Sequence, residues 1–379
     1  MSRPRVIIDL VPIRPGRGGT GSGIWTHALR LVQELDRLAP GDLDVQVLIN
    51  PEQRAFFGGL RHVRARSQAG LWSRGPFRLL WVHGALPLLC LLLRARVLHK
   101  VATETPLLSP ARRVTTVHDF FNEVMRESGA APSDAAARYF SWAARVCFAR
   151  SRVVITVSEA VRQEALARFP RSRAELVAIH NGADLPQGLP PRPADGRFNI
   201  LCVAKLMPYK GQLEAIEALT ALLAMEPALG GRVRLVLHGF SNDEAYRQRL
   251  LARIAQLPPG AAELRPYGQR ASLHQIYAGA DAFLFLTRYE GFGLPVVEAQ
   301  ALGVPVVCSD LPVLREVGGE GALYVDRSDA RCVAAALLTV MRDPAARQRL
   351  IAAGHANAQR FSWAAMAQRT ADAYRRAAR

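Results

Sequence analysis

The chain has 379 residues, 50% of them hydrophobic, and carries 49 Lys+Arg against 32 Asp+Glu for a net charge of +17. That length exceeds what one core normally organises, so two domains are expected. Its five cysteines (Cys90, Cys147, Cys202, Cys308, Cys332) are odd in number, widely spaced and without a Cys-x-x-Cys pair, which argues against a disulfide or zinc framework and for a reducing compartment.

The opening MSRPRVIIDLVPIRPG is a short apolar run broken by Pro12 and Pro15. It lacks the longer apolar core and small-residue cleavage site of a signal peptide. Arg5 to Val11 reads as a first buried strand, and a glycine loop follows (Gly16, Gly18, Gly19, Gly21, Gly23), then a helical pattern from Ile24 to Leu38. Strand, glycine loop and helix open a doubly wound α/β domain. A nicotinamide fingerprint does not fit: the loop from Pro12 is too long, and the next strand, Val45 to Ile49, closes on Asn50 instead of an acidic residue. A loop that lets a ligand approach the backbone fits better. Asp42-Leu43-Asp44 matches a metal-holding Asp-x-Asp pattern but lies in a Pro-Gly turn without further carboxylates, so no metal is expected.

To His180 the chain holds 26 Lys+Arg against 14 Asp+Glu, and eleven of these basic residues lie between Arg54 and Arg113 with only Glu104 opposing them. Interleaved with Phe56, Phe57, Trp72, Phe77 and Trp81, they suit either nucleic acid or anionic lipid headgroups, and no nucleic-acid module accompanies them. Leu79 to Leu93, LLWVHGALPLLCLLL, is the most apolar stretch. It is short of a bilayer span and reads as either a buried or an interfacial helix.

Further strands are expected at Arg96–Val101, Val114–Val117, Val153–Val157 and Leu176–Ile179, alternating with helices near Ser133–Ala149 and Ser158–Phe169. His118 and Asp119 follow a strand at the edge where α/β folds place ligands; His118 reads either as a hydroxyl contact or as a turn histidine held by local backbone. Ser158 reads as an N-cap.

Asp184 to Arg197, DLPQGLPPRPADGR, has four prolines and two glycines and is the clearest linker. After it the pattern restarts, with strands at Phe198–Ala204, Val233–His238, Ala282–Thr287 and Val304–Cys308 and helices from Gln212, Asp243, Ser272, Pro295 and Ser328. The domains are therefore expected at 1–183 and 198–360, joined by residues 184–197, with a final helical segment at 361–379. Two α/β halves imply a cleft as the default ligand site. Only three of the 49 basic residues are lysines, Lys100, Lys205 and Lys210, and two of them sit in AKLMPYKG between a strand and a helix. A compact ammonium placed there suits a diphosphate. In YEGFGLPVVEA, Glu290 and Glu298 flank a loop of Gly291, Phe292, Gly293, Leu294 and Pro295 that enters a helix. The pair reads either as ligand carboxylates or as solvated residues of an ordinary strand-to-helix turn.

Together EGFGLPVVEA, AKLMPYKG, HNGAD at His180–Asp184, VHD at Val117–Asp119, the glycine loop and FSW at Phe361–Trp363 resemble the retaining GT-B glycosyltransferases of family 4, from the first strand to the last helix. The resemblance implies an α/β fold of two Rossmann-like doubly wound domains facing a central cleft, the first on the acceptor side and the second holding a nucleotide-sugar. It implies that Lys205 and Lys210 neutralise the donor diphosphate and that Glu298 binds ribose. Glu290 and the backbone of Gly291, Phe292, Gly293 and Leu294 would hold the transferred sugar, with His118 contacting it and Gly19 and Gly21 lining the diphosphate side. Lys205 departs from the arginine usual at its position, so charge is kept and a bidentate fork is lost. FSW and the helix after it resemble the family's last helix, which returns to the first domain.

The activity implied is hexosyl transfer with retained configuration, from GDP-mannose first and a UDP-sugar next, to a lipid-linked or polysaccharide acceptor at the cytoplasmic membrane face. No cofactor or metal is implied, since the nucleotide-sugar is a substrate. A soluble small-molecule or natural-product transferase is the alternative of the same fold, and a non-catalytic nucleotide- or sugar-binding protein the alternative of another class.

Overall fold

The computed structural model describes residues 3–15, 23–127, 135–184, 196–241, 243–266 and 275–379. These form two compact units, one built from the chain up to Gly182 and again from Ser362 to Arg379, the other from Ala183 to Phe361.

The first unit is a parallel sheet of seven strands: β1 (Arg5–Asp9), β2 (Asp44–Ile49), β3 (Arg64–Ser67), β4 (Val97–Lys100), β5 (Arg112–Val117), β6 (Val153–Thr156) and β7 (Glu175–Ala178), in the order β3-β2-β1-β4-β5-β6-β7. Strand order reverses between β1 and β4, which pair with Ile7 opposite Leu98. The second unit repeats the plan with β8 (Phe198–Val203), β9 (Val233–Gly239), β10 (Ala262–Pro266), β11 (Ala282–Phe285), β12 (Val306–Ser309) and β13 (Ala322–Val325), ordered β10-β9-β8-β11-β12-β13. Its reversal lies between β8 and β11, in register at Phe283 and Leu201. The central strands β6, β11 and β12 are buried at every residue, as expected of parallel strands covered on both faces. In doubly wound sheets ligands bind beyond the strand carboxyl ends at such reversals.

The helix Gly23–Leu38 buries Ala28, Leu31, Val32 and Leu35 at helical spacing. Against it packs the last helix, Trp363–Ala378, capped by the Ser362 hydroxyl accepting from Ala365 N–H. Arg369 donates to the Ala178 carbonyl at 2.7 Å, and Tyr374 meets His99 in the core at 2.6 Å. A Cβ on Gly182 would fall 2.2 Å from the Trp363 nitrogen, so only glycine lets that helix dock.

Three strands, β3, β10 and β13, were not anticipated from the sequence; all are edge strands. Ser158 is an N-cap, accepting from Val161 N–H at 3.1 Å. The glycines 16, 18, 19 and 21, most of the proline-rich linker, and the starts expected at Ser133 and Ser272 lie outside the described residues.

The apolar stretch Leu79–Leu93 belongs to one helical segment, Gly75–Leu92, with a π turn at Trp81–Ala85. One side of it, Trp81, Val82, Leu86 and Cys90, packs with Ile7, Leu48 and Leu98. Its other side is exposed, so the buried reading describes one face of this stretch and not the other.

Candidate functional site

In the second unit the chain leaves β8 at Ala204 and reaches the helix Gln212–Met225 through Lys205–Gly211. Gly211 has φ +76°, and a Cβ there would stand 2.0 Å from the Leu286 carbonyl oxygen. The residue is glycine because the loop lies directly on the end of β11. Arg288 N–H donates to the Tyr209 carbonyl at 2.7 Å, and the Thr287 hydroxyl donates to the carbonyls of Tyr209 and Tyr289 at 3.3 and 3.0 Å. The buried Gln212 amide holds the Lys205 carbonyl at 2.9 Å and is itself held by Tyr246 Oη at 3.1 Å.

This bracing brings together two residues eighty positions apart. Lys210 Nζ donates to Glu290 Oε1, both side chains being largely buried. The ammonium stands 4.7 Å above the Tyr209 ring, a cation–π contact that keeps it at the strand ends. Lys205 lies 5.7 Å over the Phe240 ring and has no carboxylate partner among the described residues. The unit therefore presents one neutralised and one unneutralised ammonium beside the β8–β11 reversal.

Beyond Glu290 the chain turns through Gly293, φ +94°, into the helix Leu294–Ala301, with Pro295 in its first turn. Glu298 on that helix accepts from Tyr277 Oη at 3.2 Å, and the buried Tyr277 ring fixes where the carboxylate sits. Gly291 and Phe292 are buried. The Phe292 ring packs edge-on to Phe361 at 5.6 Å, which leaves only its backbone for a ligand. Leu294 is half-buried.

In the first unit His118 follows β5 and bonds the Val101 carbonyl at 2.9 Å through Nε2. The carbonyl can only accept, so Nε2 carries the proton and the neutral ring offers Nδ1 as an acceptor. Burial lowers its pKa to about 4. The turn reading and the ligand reading of His118 thus involve different ring nitrogens. His27, which no sequence signal singled out, meets the His118 ring edge-on at 4.9 Å and 89°, and its Nδ1 bonds Asn181 Oδ1 at 2.7 Å. Burial, then the neighbouring His118, lowers the His27 pKa to about 3. Asn181 fixes the tautomer with Nδ1 protonated, leaving the buried Nε2 without a partner.

Lys100, the third lysine, is committed to the interior of the first unit. It is 2% exposed and paired with Asp9, whose carboxylate also accepts from the Trp81 indole at 3.2 Å. Asp42 is clasped by Arg375 at 2.7 and 2.8 Å and Asp44 by Arg5 at 2.6 Å, so arginines take up both carboxylates of the Asp-x-Asp pattern. Gly19 and Gly21 lie outside the described residues. A recess of about 400 Å³ elsewhere in the second unit, lined by Asn199, Arg234, His238 and Arg265 among others, contains none of the residues above. Charge and bracing, more than cavity volume, mark the candidate site.

Comparison with known proteins gives this arrangement its context. Residues 21–187 match the model "Glycosyltransferase Family 4" and residues 190–356 the model "Glycosyl transferases group 1". The chain is 30% identical over 281 residues to the O-antigen chain mannosyltransferase B of Escherichia coli, covering 70% of each protein. It is 30% identical over 248 residues to the D-inositol 3-phosphate glycosyltransferase of Kineococcus radiotolerans, covering 59% of this chain and 57% of that protein. Among solved structures, Anabaena HepE in complex with UDP and glucose aligns with TM-score 0.70 at 18% identity over 98% of this chain and 99% of that one. Sucrose-phosphate synthase of Thermosynechococcus elongatus aligns with TM-score 0.72 at 21% identity over 98% of each. Two parallel-sheet units, a match to each half and a relative shared over most of its length make this chain a GT-B glycosyltransferase of family 4, an enzyme that uses a nucleotide-sugar donor.

Proposed function

We propose that the enzyme transfers a hexosyl unit with retained anomeric configuration from GDP-mannose, or next from a UDP-sugar, to a lipid-linked or polysaccharide acceptor. The observation that carries this reading is the Lys210–Glu290 pair at the β8–β11 reversal, with Lys205 beside it. Lys205 and Lys210 take the diphosphate, Glu298 the ribose hydroxyls, and Glu290 with the Gly291–Leu294 backbone the transferred sugar. Gly19 and Gly21 line the diphosphate, and His118 accepts from a sugar hydroxyl through Nδ1. The Escherichia coli relative is a mannosyltransferase, which supports mannose, and the HepE complex with UDP and glucose supports the UDP-sugar alternative.

In the reaction the bond from the anomeric carbon to the β-phosphate oxygen breaks while the acceptor oxygen attacks from the same face. The acceptor proton passes to the departing phosphate, and the nucleoside diphosphate leaves. The lysines stabilise the charge that develops on that phosphate. Glu290, engaged with Lys210, is a poor covalent nucleophile, which supports same-face attack. No metal is needed for this step. Five free cysteines, four of them buried, support a reducing cytoplasmic setting, and the acceptor class places the enzyme peripherally on the inner membrane face.

Calorimetric binding of UDP, GDP and ADP, followed by a matched nucleotide-sugar panel with the product anomer read by NMR, tests the proposal. Binding of none of the three nucleotides, or a product of inverted configuration, would overturn it. Lys210→Ala turning over donor at a near wild-type rate would remove the lysine assignment.

A further inference from the structure

The exposed apolar surface of this protein is unevenly distributed. Of fourteen large apolar side chains exposed among the described residues, nine lie between Leu71 and Leu108. Phe77, Leu80, Leu88 and Leu91 share one stripe of the Gly75–Leu92 segment with Gly84, spaced three or four residues apart, and Leu92 at the end is 71% exposed. Apart from Arg78 and His83, that helix is apolar on its exposed face as well as on its buried one. In a water-soluble protein an exposed helix face is normally polar, and a contiguous apolar patch of this kind marks an interaction surface.

The patch extends beyond the helix. Leu107 N–H donates to His83 Nδ1 at 3.4 Å, which lays the Leu107–Leu108 loop alongside the helix, and Leu108 is 72% exposed. The Trp142 ring, 38% exposed, also packs against the His83 ring, at 5.4 Å. An indole at the margin of an apolar patch is the arrangement found where protein meets the headgroup layer. Arg74 and Arg94 stand exposed at the two ends of the segment. No acidic residue occurs between Glu52 and Glu104, and Glu104 is buried under Arg78, whose Nε donates to it at 2.7 Å.

From these observations we infer that the face formed by Phe77, Leu80, Leu88, Leu91, Leu92 and Leu108 inserts into a lipid bilayer, with Arg74 and Arg94 at anionic headgroups. This rests on the reading of a membrane-borne acceptor and deepens it, because it names the surface and the mode of contact. The segment is 18 residues with mean hydropathy 1.4, about 27 Å of helix at 1.5 Å per residue, yet it does not cross the bilayer. Trp81, Val82, Leu86 and Cys90 on its inner side are committed to the core over β1, β2 and β4. The helix therefore lies in the plane of the interface, one face in protein and the other in acyl chains. Leucine insertion, more than the arginine charge, holds the protein there, so binding outlasts salt that screens the arginines.

The test uses the full chain floated with phosphatidylcholine vesicles, with and without phosphatidylglycerol, at low and high salt. Wild type should float with the mixed vesicles and keep much of its binding at high salt. Leu80→Gln/Leu88→Gln/Leu91→Gln should lose roughly tenfold or more of the vesicle affinity. Arg74→Gln/Arg94→Gln should lose only the salt-sensitive part. All of these side chains are exposed and none is in the donor site, so nucleotide binding should be unchanged in every variant and serves as the control for folding. Wild-type protein that binds nucleotide and transfers sugar but never floats would overturn the inference while leaving the proposed function standing. So would a leucine variant that floats like wild type. Sedimentation showing a dimer that the leucine variant dissociates would assign the face to a second copy instead. Vesicle binding lost in the leucine variant, in a protein that transfers no sugar, would support the surface and sink the function.

Discussion

Replacing Lys210 by Met removes the ammonium and leaves the Glu290 carboxylate, whose side chain is 13% exposed, without this cation. A fully buried pair broken on one side costs about 3–5 kcal/mol; some water reaches this one, so about 2–3 kcal/mol is expected. Glu290→Gln should cost about 1 kcal/mol, because the amide oxygen still accepts from Lys210. In the double variant no charge is stranded, and the loss should fall short of the sum by about 2 kcal/mol. All five tryptophans lie in the first unit, so unfolding of the second is followed by far-UV circular dichroism in urea. At a slope of about 2.5 kcal/mol/M, Lys210→Met should lower its midpoint by roughly 1 M. The same cycle reports on ligand binding. Glu290 competes with phosphate for Lys210, so Glu290→Gln should tighten nucleoside diphosphate binding about 5–30-fold, worth 1–2 kcal/mol, while slowing transfer. Strictly additive stabilities would refute the pair as a physical unit, and an unchanged or weaker nucleotide affinity in Glu290→Gln would refute its role in holding Lys210.

Other perturbations follow from the same geometry. Gly211→Ala places a methyl within 2.0 Å of the Leu286 carbonyl oxygen at φ +76°. It should destabilise the second unit by about 3 kcal/mol or more and weaken nucleotide binding, read by urea midpoint and calorimetry. Tyr277→Phe removes the hydroxyl that holds Glu298 at 3.2 Å; if Glu298 binds ribose, the donor KM should rise about 3–10-fold with little change in kcat. His27 and His118 have folded pKa values of about 3 and 4 against the ordinary 6.5. The unfolded chain therefore binds these protons first as pH falls, and stability is lost below about pH 6.5 by on the order of 1.4 kcal/mol per pH unit for each ring until its folded pKa is reached. Thermal melts of the first unit between pH 7 and pH 4.5 check this, and a His27→Gln variant should show a shallower slope.

The central strands were legible in sequence because β-branched runs such as VVIT and AFLF have a single explanation, burial on both sides of a parallel sheet. Three of the four edges, β3, β10 and β13, were not: β3 is exposed along its whole length, and pairing on one side leaves little compositional trace. The lysine–glutamate cluster was visible because lysine is rare in this chain. The difference between Lys210 and Lys100 was hidden, since it depends on which strand-end carboxylate each one meets, Glu290 or Asp9. His27 and Asn181 are 154 positions apart and meet only through the order of strands, so local reading had no access to their contact. The apolar helix left burial and interface open because periodicity cannot separate them when both faces are apolar.

The last helix carries a consequence for synthesis. Tyr374 and Trp363 belong to the core of a unit whose first strand begins at Arg5, whereas the described residues of the second unit all fall between Ala183 and Phe361. On the ribosome the second unit has all of its strands before the first unit has its final helix. The His99 ring and the hollow around Gly182 await the last eighteen residues. The order of maturation is then second unit first, although it is translated later. A chain ended at Phe361 should show a protease-resistant second unit and an unfinished first one in limited proteolysis; equal resistance of both would mean that the closing helix is dispensable.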